Sequence, residues 1–231
     1  MRFNHFLFPS SFHGFTQIFL FFSFLSQFLE AGEKLPNDVR WIRESKEYSN
    51  LCGQVFREAA KKIRRLTKAE PGPPAVVLDL DETILDNSLY QVERWKQGKG
   101  FTQDSWSEWV NRVEAELVPG AENFLREMRK LKVQVIFLSN RMHANLEPTR
   151  KNLEDLGVLD PRDLFLLRLD KADTKAVRRQ EIIEGTGRMK KPGAFTVVGY
   201  LGDQFGDFPI GEKDSFGEFY FLLPNPMYGK W

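Results

Sequence analysis

An alternation constrains this chain more than any other feature. Short apolar runs at 75–78, 133–138, 164–167 and 195–200 are separated by segments of helical spacing, and a last apolar run lies at 219–223. The helical segments cover 36–70, 88–117, 121–131, 146–156 and 171–183. In the first of them Trp41, Tyr48, Leu51, Val55, Ala59, Ile63 and Leu66 recur at steps of three, four or seven, until Pro71-Gly72-Pro73-Pro74 ends the run. The segment 88–117 is Trp-rich (Trp95, Trp106, Trp109) and is interrupted at Gly98-Lys99-Gly100. Strands separated by helices predict an α/β fold with a parallel sheet and helices on both of its faces. The strand at 75–78 is apolar throughout and β-branched, as expected of a strand buried on both sides.

In such sheets ligands bind beyond the carboxyl ends of the strands, so polar clusters should follow the apolar runs. Asp79-Leu80-Asp81-Glu82-Thr83 follows the first, Ser139-Asn140-Arg141 the second, and Gly202-Asp203-Gln204-Phe205-Gly206-Asp207 the fourth. Two carboxylates one residue apart repel each other unless one is neutral or a cation lies between them. Such a pair can divide the roles of nucleophile and general acid/base, though an acidic pair at a turn is also often solvated or a helix cap. Ser139 with nearby backbone amides suits a phosphate oxygen, or an ordinary N-cap. Asp203 and Asp207 offer hard oxygen ligands. Lys175, within Asp173-Thr174-Lys175, is either a solvated helix lysine or a fourth charged member of the set.

Taken in order, Asp79-x-Asp81-x-Thr83, Ser139-Asn140-Arg141, Lys175 and Gly202-Asp203-x3-Asp207 resemble the four motifs of the haloacid dehalogenase (HAD) superfamily, phosphatase branch. The run from Asp79 to Ser88 resembles the first motif of the class C acid phosphatases, the four-aspartate group that includes bacterial lipoprotein 5'-nucleotidases. Trp41-Ile42-Arg43-Glu44-Ser45, Trp106-x-x-Trp109-Val110 and the ending from Leu223-Pro224-Asn225-Pro226 to Trp231 are similar too, so the resemblance covers residues 36–231. It implies a three-layer Rossmann-like core, with a small helical cap inserted at about 88–118, between the first and second motifs.

The resemblance also implies roles. Asp79 would attack phosphorus, and Asp81 would protonate the leaving oxygen and later activate water. Mg²⁺ would be held by Asp79, the Asp81 backbone carbonyl and Asp203, with Asp207 in support. Ser139 and Lys175 would bind the phosphoryl oxygens, with Asn140 and Arg141 beside them. Tyr90 and Tyr228 stand where this family's aromatic residues flank the substrate ring, whereas Trp106 and Trp109, three apart on one helix face, read as core. The implied activity is an exported Mg²⁺-dependent acid phosphatase/5'-nucleotidase acting on phosphate monoesters. Two other readings are a broad acid phosphatase without base recognition and a non-catalytic storage or binding protein on the same scaffold. The implied partner is a small nucleotide-like ester, not a nucleic-acid polymer, and the family allows a homodimer.

Composition supports a packed globule with an atypical start. Lys+Arg 33 against Asp+Glu 32 gives a net charge of +1, without the basic excess of a nucleic-acid coat. Of 21 Phe, ten precede residue 31, in a stretch whose only ionic side chains are Arg2 and Glu30. That stretch reads as a secretory leader over 1–31, followed by the phosphatase domain over 32–231. The competing readings are an uncleaved anchor and a buried helix. The leader has no Cys to acylate, so membrane attachment is expected only where the leader is retained. The expected location is periplasmic, cell-surface or secreted.

Overall fold

The computed structural model describes residues 34–209 and 215–229, and the leader expected over 1–31 lies outside the described residues. A long helical region opens the described chain, divided at Ser45 into α1 (Asn37–Glu44) and α2 (Lys46–Ala69) where a single helix was expected. Ser45 is extended, and its Oγ accepts the Tyr48 N–H at 3.0 Å, which caps α2. Tyr48, Cys52, Phe56, Ala59 and Ile63 form the buried stripe of α2, spaced three and four apart.

Five parallel strands follow: β1 (Pro74–Leu78), β4 (Gln134–Met142), β5 (Leu164–Arg168), β6 (Thr196–Gly202) and β7 (Tyr220–Leu222), ordered β5-β4-β1-β6-β7. The central strands are covered on both faces. Val76, Leu78, Val135 and Phe137 join α2 and α5 (Ala121–Lys130) in one core cluster, while Ala75, Val77, Ile136 and Leu138 join Ile182 of α7 (Lys175–Glu184) in the other. This two-faced burial is why the strands read as unbroken apolar runs. Helix α6 (Leu146–Asp155) links β4 to β5. The result is the expected α/β fold: a parallel sheet between helical layers.

Between β1 and α5 the chain makes an excursion. β2 (Leu85–Asp86) pairs antiparallel with β3 (Glu116–Leu117), and α3 (Ser88–Lys96) and α4 (Gln103–Arg112) lie between them. The helical reading of 88–117 overshoots, because Val113 adopts a left-handed φ of 61° and stops α4, releasing the chain into β3. Two strand ends also run further than hydropathy indicated. β4 continues through Ser139-Asn140-Arg141, with a register shift against β5, and β6 includes Gly202. Among the described residues no helix is long and apolar enough to cross a membrane.

Candidate active site

The site is assembled at the carboxyl ends of β1, β4 and β6. Asp79 leaves β1 with its N–H donated to Leu201 O at 2.9 Å, and Leu80 buries its side chain in the core. Leu80 O then accepts N–H bonds from Ile84 and Leu85 at 2.9 and 2.8 Å, forming a tight turn around Glu82, whose φ is 55°. Asp79 and Asp81 are thereby left on the side away from the core.

Helix α7 delivers Lys175. Thr174 caps the helix through its bond from Val177 N–H, so Lys175 is the first helical residue rather than one turn inside a helix beginning at 171. Its Nζ donates to Asp79 Oδ1 and to Asp207 Oδ1, both at 2.6 Å. Asp207 Oδ2 accepts Gln204 N–H at 3.0 Å. Asp203 Oδ2 accepts from Asn225 Nδ2 at 2.7 Å. Carboxylate oxygens of Asp79, Asp203 and Asp207 lie within 4.8 Å of one another. The glycine of this motif is a packing requirement: a Cβ on Gly202 would stand 2.3 Å from Asp207 Cβ.

Three carboxylates around one ammonium leave an excess of negative charge. Burial raises Asp79 well above the usual carboxylate range, against the pull of Lys175 and reinforced by Asp207, Asp203 and Asp81. Burial, then Asp207, pushes Asp203 up to about 7. Burial acts to lower Lys175, but the Asp79 and Asp207 charges outweigh it and hold the ammonium above its ordinary value. A divalent cation with oxygen preference would relieve this excess, so the donor set fits a metal.

Asp81 stands apart from that trio. Its Oδ1 accepts from Arg141 Nε at 2.9 Å and from Asn87 Nδ2 at 3.1 Å, with Arg141 Nη2 ion-paired to it at 2.8 Å; its Oδ2 accepts from Ser139 Oγ at 3.4 Å. Ser139 is fully buried. Asn140 is exposed and accepts from Arg178 Nη2 at 2.8 Å. Arg141, expected beside the substrate, has a buried guanidinium spent on Asp81, Asn87 and Thr149, while still bordering the cavity.

Asp79, Asp81, Asn140, Arg141, Lys175, Asp203 and Asp207 line a cavity of about 610 Å³ together with Gln91, Phe101 and Trp106 of the inserted segment and Tyr228, whereas Ser139 does not line it. Tyr90, expected at the substrate ring, does not line it. It is buried, edge-on to Trp106 at 5.0 Å, with its hydroxyl 2.9 Å from Ser105 Oγ. Trp106, read as core, is buried in the core cluster as expected and also borders the cavity. Sequence reasoning also gave no role to Asn87 or Arg178. Arg178 is completely buried and donates to Ser139 O at 2.5 Å and Leu166 O at 2.8 Å, tying the ends of β4 and β5 to α7. Nothing local distinguishes it from neighbouring Arg179.

A sheet of this order, with acidic, hydroxyl and lysine groups at successive strand ends, is that of the HAD phosphatases, and comparison with known proteins agrees. The family model described as HAD superfamily, subfamily IIIB (acid phosphatase), matches residues 27–231. The chain belongs to that family and is a phosphomonoesterase. The class C acid phosphatase of Bacillus anthracis is 32% identical, with a TM-score of 0.73 over 83% of this chain and 84% of that one. The same enzyme with tungstate bound gives 32% and 0.72 over the same shares. Acid phosphatase 1 of Solanum lycopersicum is 28% identical over 209 residues, 88% of this chain and 78% of that protein. The stem 31 kDa glycoprotein of Glycine max is 26% identical over 211 residues, 87% of this chain and 78% of that protein.

Proposed function

We propose that the chain hydrolyses nucleoside monophosphates through an aspartyl-phosphate intermediate, with Mg²⁺ as its metal. One observation carries this reading: Lys175 Nζ bridges Asp79 and Asp207 beside Asp203, while Asp81 is held apart by Arg141 at the same cavity. Asp79 is the nucleophile. Its carboxylate oxygen bonds to phosphorus, the bond from phosphorus to the leaving oxygen breaks, and that oxygen takes the proton of Asp81. A water then attacks phosphorus and gives its proton to Asp81, and the bond to Asp79 breaks, restoring both carboxyl groups and releasing phosphate. Lys175 and Ser139 bind phosphoryl oxygens, with Asn140 alongside.

Asp79, Asp203, Asp207 and the Asp81 carbonyl would hold the metal, which when bound supplies charge neutralisation at the phosphoryl group. Phe101, Trp106 and Tyr228 give the cavity an aromatic lining suited to a base, and this favours a nucleotide over a simple sugar phosphate. The two-helix insert over 88–118 serves as the cap that carries most of this lining. Residues 1–31 act as an export leader for the domain at 32–231.

The test is hydrolysis of p-nitrophenyl phosphate by Asp79→Asn, expected to vanish, with a chelator removing wild-type activity and Mg²⁺ restoring it. Undiminished turnover by the variant would end the nucleophile assignment. A nucleoside monophosphate and a sugar phosphate compared by kcat/KM separate the nucleotidase from a broad phosphatase.

A further inference from the structure

Asn87 precedes α3 at the position where an asparagine side chain ordinarily turns back to cap the helix. It makes no cap bond here. The side chain is fully buried and is used elsewhere. Its Nδ2 donates to Asp81 Oδ1 at 3.1 Å and to Leu85 O at 3.2 Å, while its Oδ1 accepts from Trp109 Nε1 at 2.8 Å and Arg141 Nη2 at 3.2 Å.

The orientation of that amide is forced. An indole and a guanidinium have only N–H to offer, whereas a backbone carbonyl and a carboxyl oxygen that carries no proton, as Asp81 Oδ1, only accept. Turned over, the amide would set donor against donor and acceptor against acceptor at every contact. Trp109, on the insert, is thus one of the two donors, with Arg141, that set which end of Asn87 faces Asp81. Asn87 and Arg141 together direct two N–H bonds at Asp81 Oδ1, and Arg141 Nη2 lies in ion-pair contact with it at 2.8 Å. Among the described residues Oδ2 has one hydrogen-bond partner, Ser139 Oγ at 3.4 Å, and is the oxygen left to carry a transferable proton.

We propose that Asn87 and Trp109 are positioning residues for Asp81: the insert's indole fixes the Asn87 amide, and the amide fixes the carboxyl group so that Oδ2 meets the leaving oxygen. In the first step the Asp79–phosphorus bond forms, the bond from phosphorus to the leaving oxygen breaks, and the Oδ2 proton passes to that oxygen. The inference rests on Asp81 being the general acid, as proposed above. It makes the insert part of the proton-transfer apparatus as well as a wall of the cavity.

A structural role and a positioning role differ in how they respond to the leaving group. An alkoxide needs the proton, whereas p-nitrophenolate leaves without it. The experiment measures kcat/KM for ethyl phosphate and p-nitrophenyl phosphate, because this parameter excludes the later hydrolysis of the aspartyl phosphate. Wild type is compared with Asn87→Ala, with Trp109→Phe (the ring without its N–H) and with Asp81→Asn. The aryl-to-alkyl ratio is expected to rise by about tenfold or more in the first two variants, towards the value for Asp81→Asn. Both esters are read on one preparation, so any unfolded fraction cancels from the ratio. A raised ratio in Asp81→Asn with unchanged ratios in Asn87→Ala and Trp109→Phe overturns the positioning role. A rise in Asn87→Ala alone overturns the part given to the insert. An unchanged ratio in Asp81→Asn overturns the assignment of Asp81 as acid.

Discussion

Gly202→Ala isolates what the acidic loop requires of the sheet beneath it. A Cβ there would stand 2.3 Å from Asp207 Cβ, 2.4 Å from its Oδ2 and 2.7 Å from its Cγ. Carbons in contact rest at about 3.5–4.0 Å, so something must retreat by about 1 Å or more. The strand is poorly placed to do so: Gly202 is paired with Leu222 of β7 and accepts Leu223 N–H at 2.8 Å, and Leu201 beside it is paired with Leu78. The displacement therefore falls on Asp207, whose bonds from Lys175 Nζ at 2.6 Å and Gln204 N–H at 3.0 Å would open. A misplacement of about 1 Å at reacting groups costs on the order of 10²-fold in rate, and overpacking costs about 1–3 kcal/mol in stability. Gly202→Ala is thus expected to lose about 10²-fold in kcat/KM for p-nitrophenyl phosphate and to need more divalent metal for half-activation, with Tm lower by a few degrees. Gly199→Ala is the control, since its Cβ would meet side-chain atoms of Ile63 at 3.0 Å and of Val76 at 3.8 Å, within the core and away from the acidic loop. Activity of Gly202→Ala within about threefold of wild type, at an unchanged metal requirement, would refute the argument that Asp207 must stand where the glycine allows it.

Lys175→Met should lower kcat by about 10²–10³ and, in urea unfolding at pH 8, stability by about 3–5 kcal/mol, with a smaller loss at pH 5, where Asp79, raised by its burial, can take up a proton; an equal loss at both pH values would contradict the charge argument. Asp203, raised from 3.8 to about 7 in the folded protein, binds a proton there that the unfolded chain has released. Stability of chelator-treated protein is therefore expected to fall as pH rises from about 4 to 7, with a slope of up to ~1.4 kcal/mol per pH unit from this group. The slope should shrink in Asp203→Asn, and added Mg²⁺ should stabilise more at pH 8 than at pH 5; urea titrations across that range check both. Trp106→Ala should raise KM for a nucleoside monophosphate by about 5- to 100-fold relative to a sugar phosphate, a shift that initial-rate kinetics with both esters would detect.

The strands were legible in the sequence because both faces of the sheet are buried, which makes Val76, Val77 and Leu78 equally apolar on successive positions. The β2–β3 ribbon was not, since two-residue strands carry no periodicity and their partners lie far apart in the chain. The same division runs through the site. Asp79, Asp203 and Asp207 are placed by main chain leaving a strand, so their order and spacing revealed them. Asn87 depends on Trp109, 22 positions away, and on Arg141, 54 positions away, and no local pattern encodes either contact. Tyr90 and Trp106 sit on different helices of the insert, and only the packing of α3 on α4 decides which ring meets the cavity.

Arg141 shows where a local rule held the answer and a boundary hid it. If β4 stops at 138, Ser139-Asn140-Arg141 is a loop, and all three side chains are free to turn to a ligand. With β4 extended to Met142 the pleat governs instead, and side chains alternate between faces. Ser139 and Arg141 then share a face, both buried and both bonded to Asp81, while Asn140 is exposed on the other and accepts from Arg178. The strand continues past its apolar residues because β4 keeps its backbone pairing to β5, at Ser139 with Leu167 and, after a register shift, at Met142 with Arg168. Hydropathy measures side chains and stops at the first hydroxyl; the ladder is made by backbone groups and does not. At a strand-end site these two boundaries separate where the polar groups begin, so the pleat assigns Arg141 to Asp81, the proposed general acid, rather than to the ester.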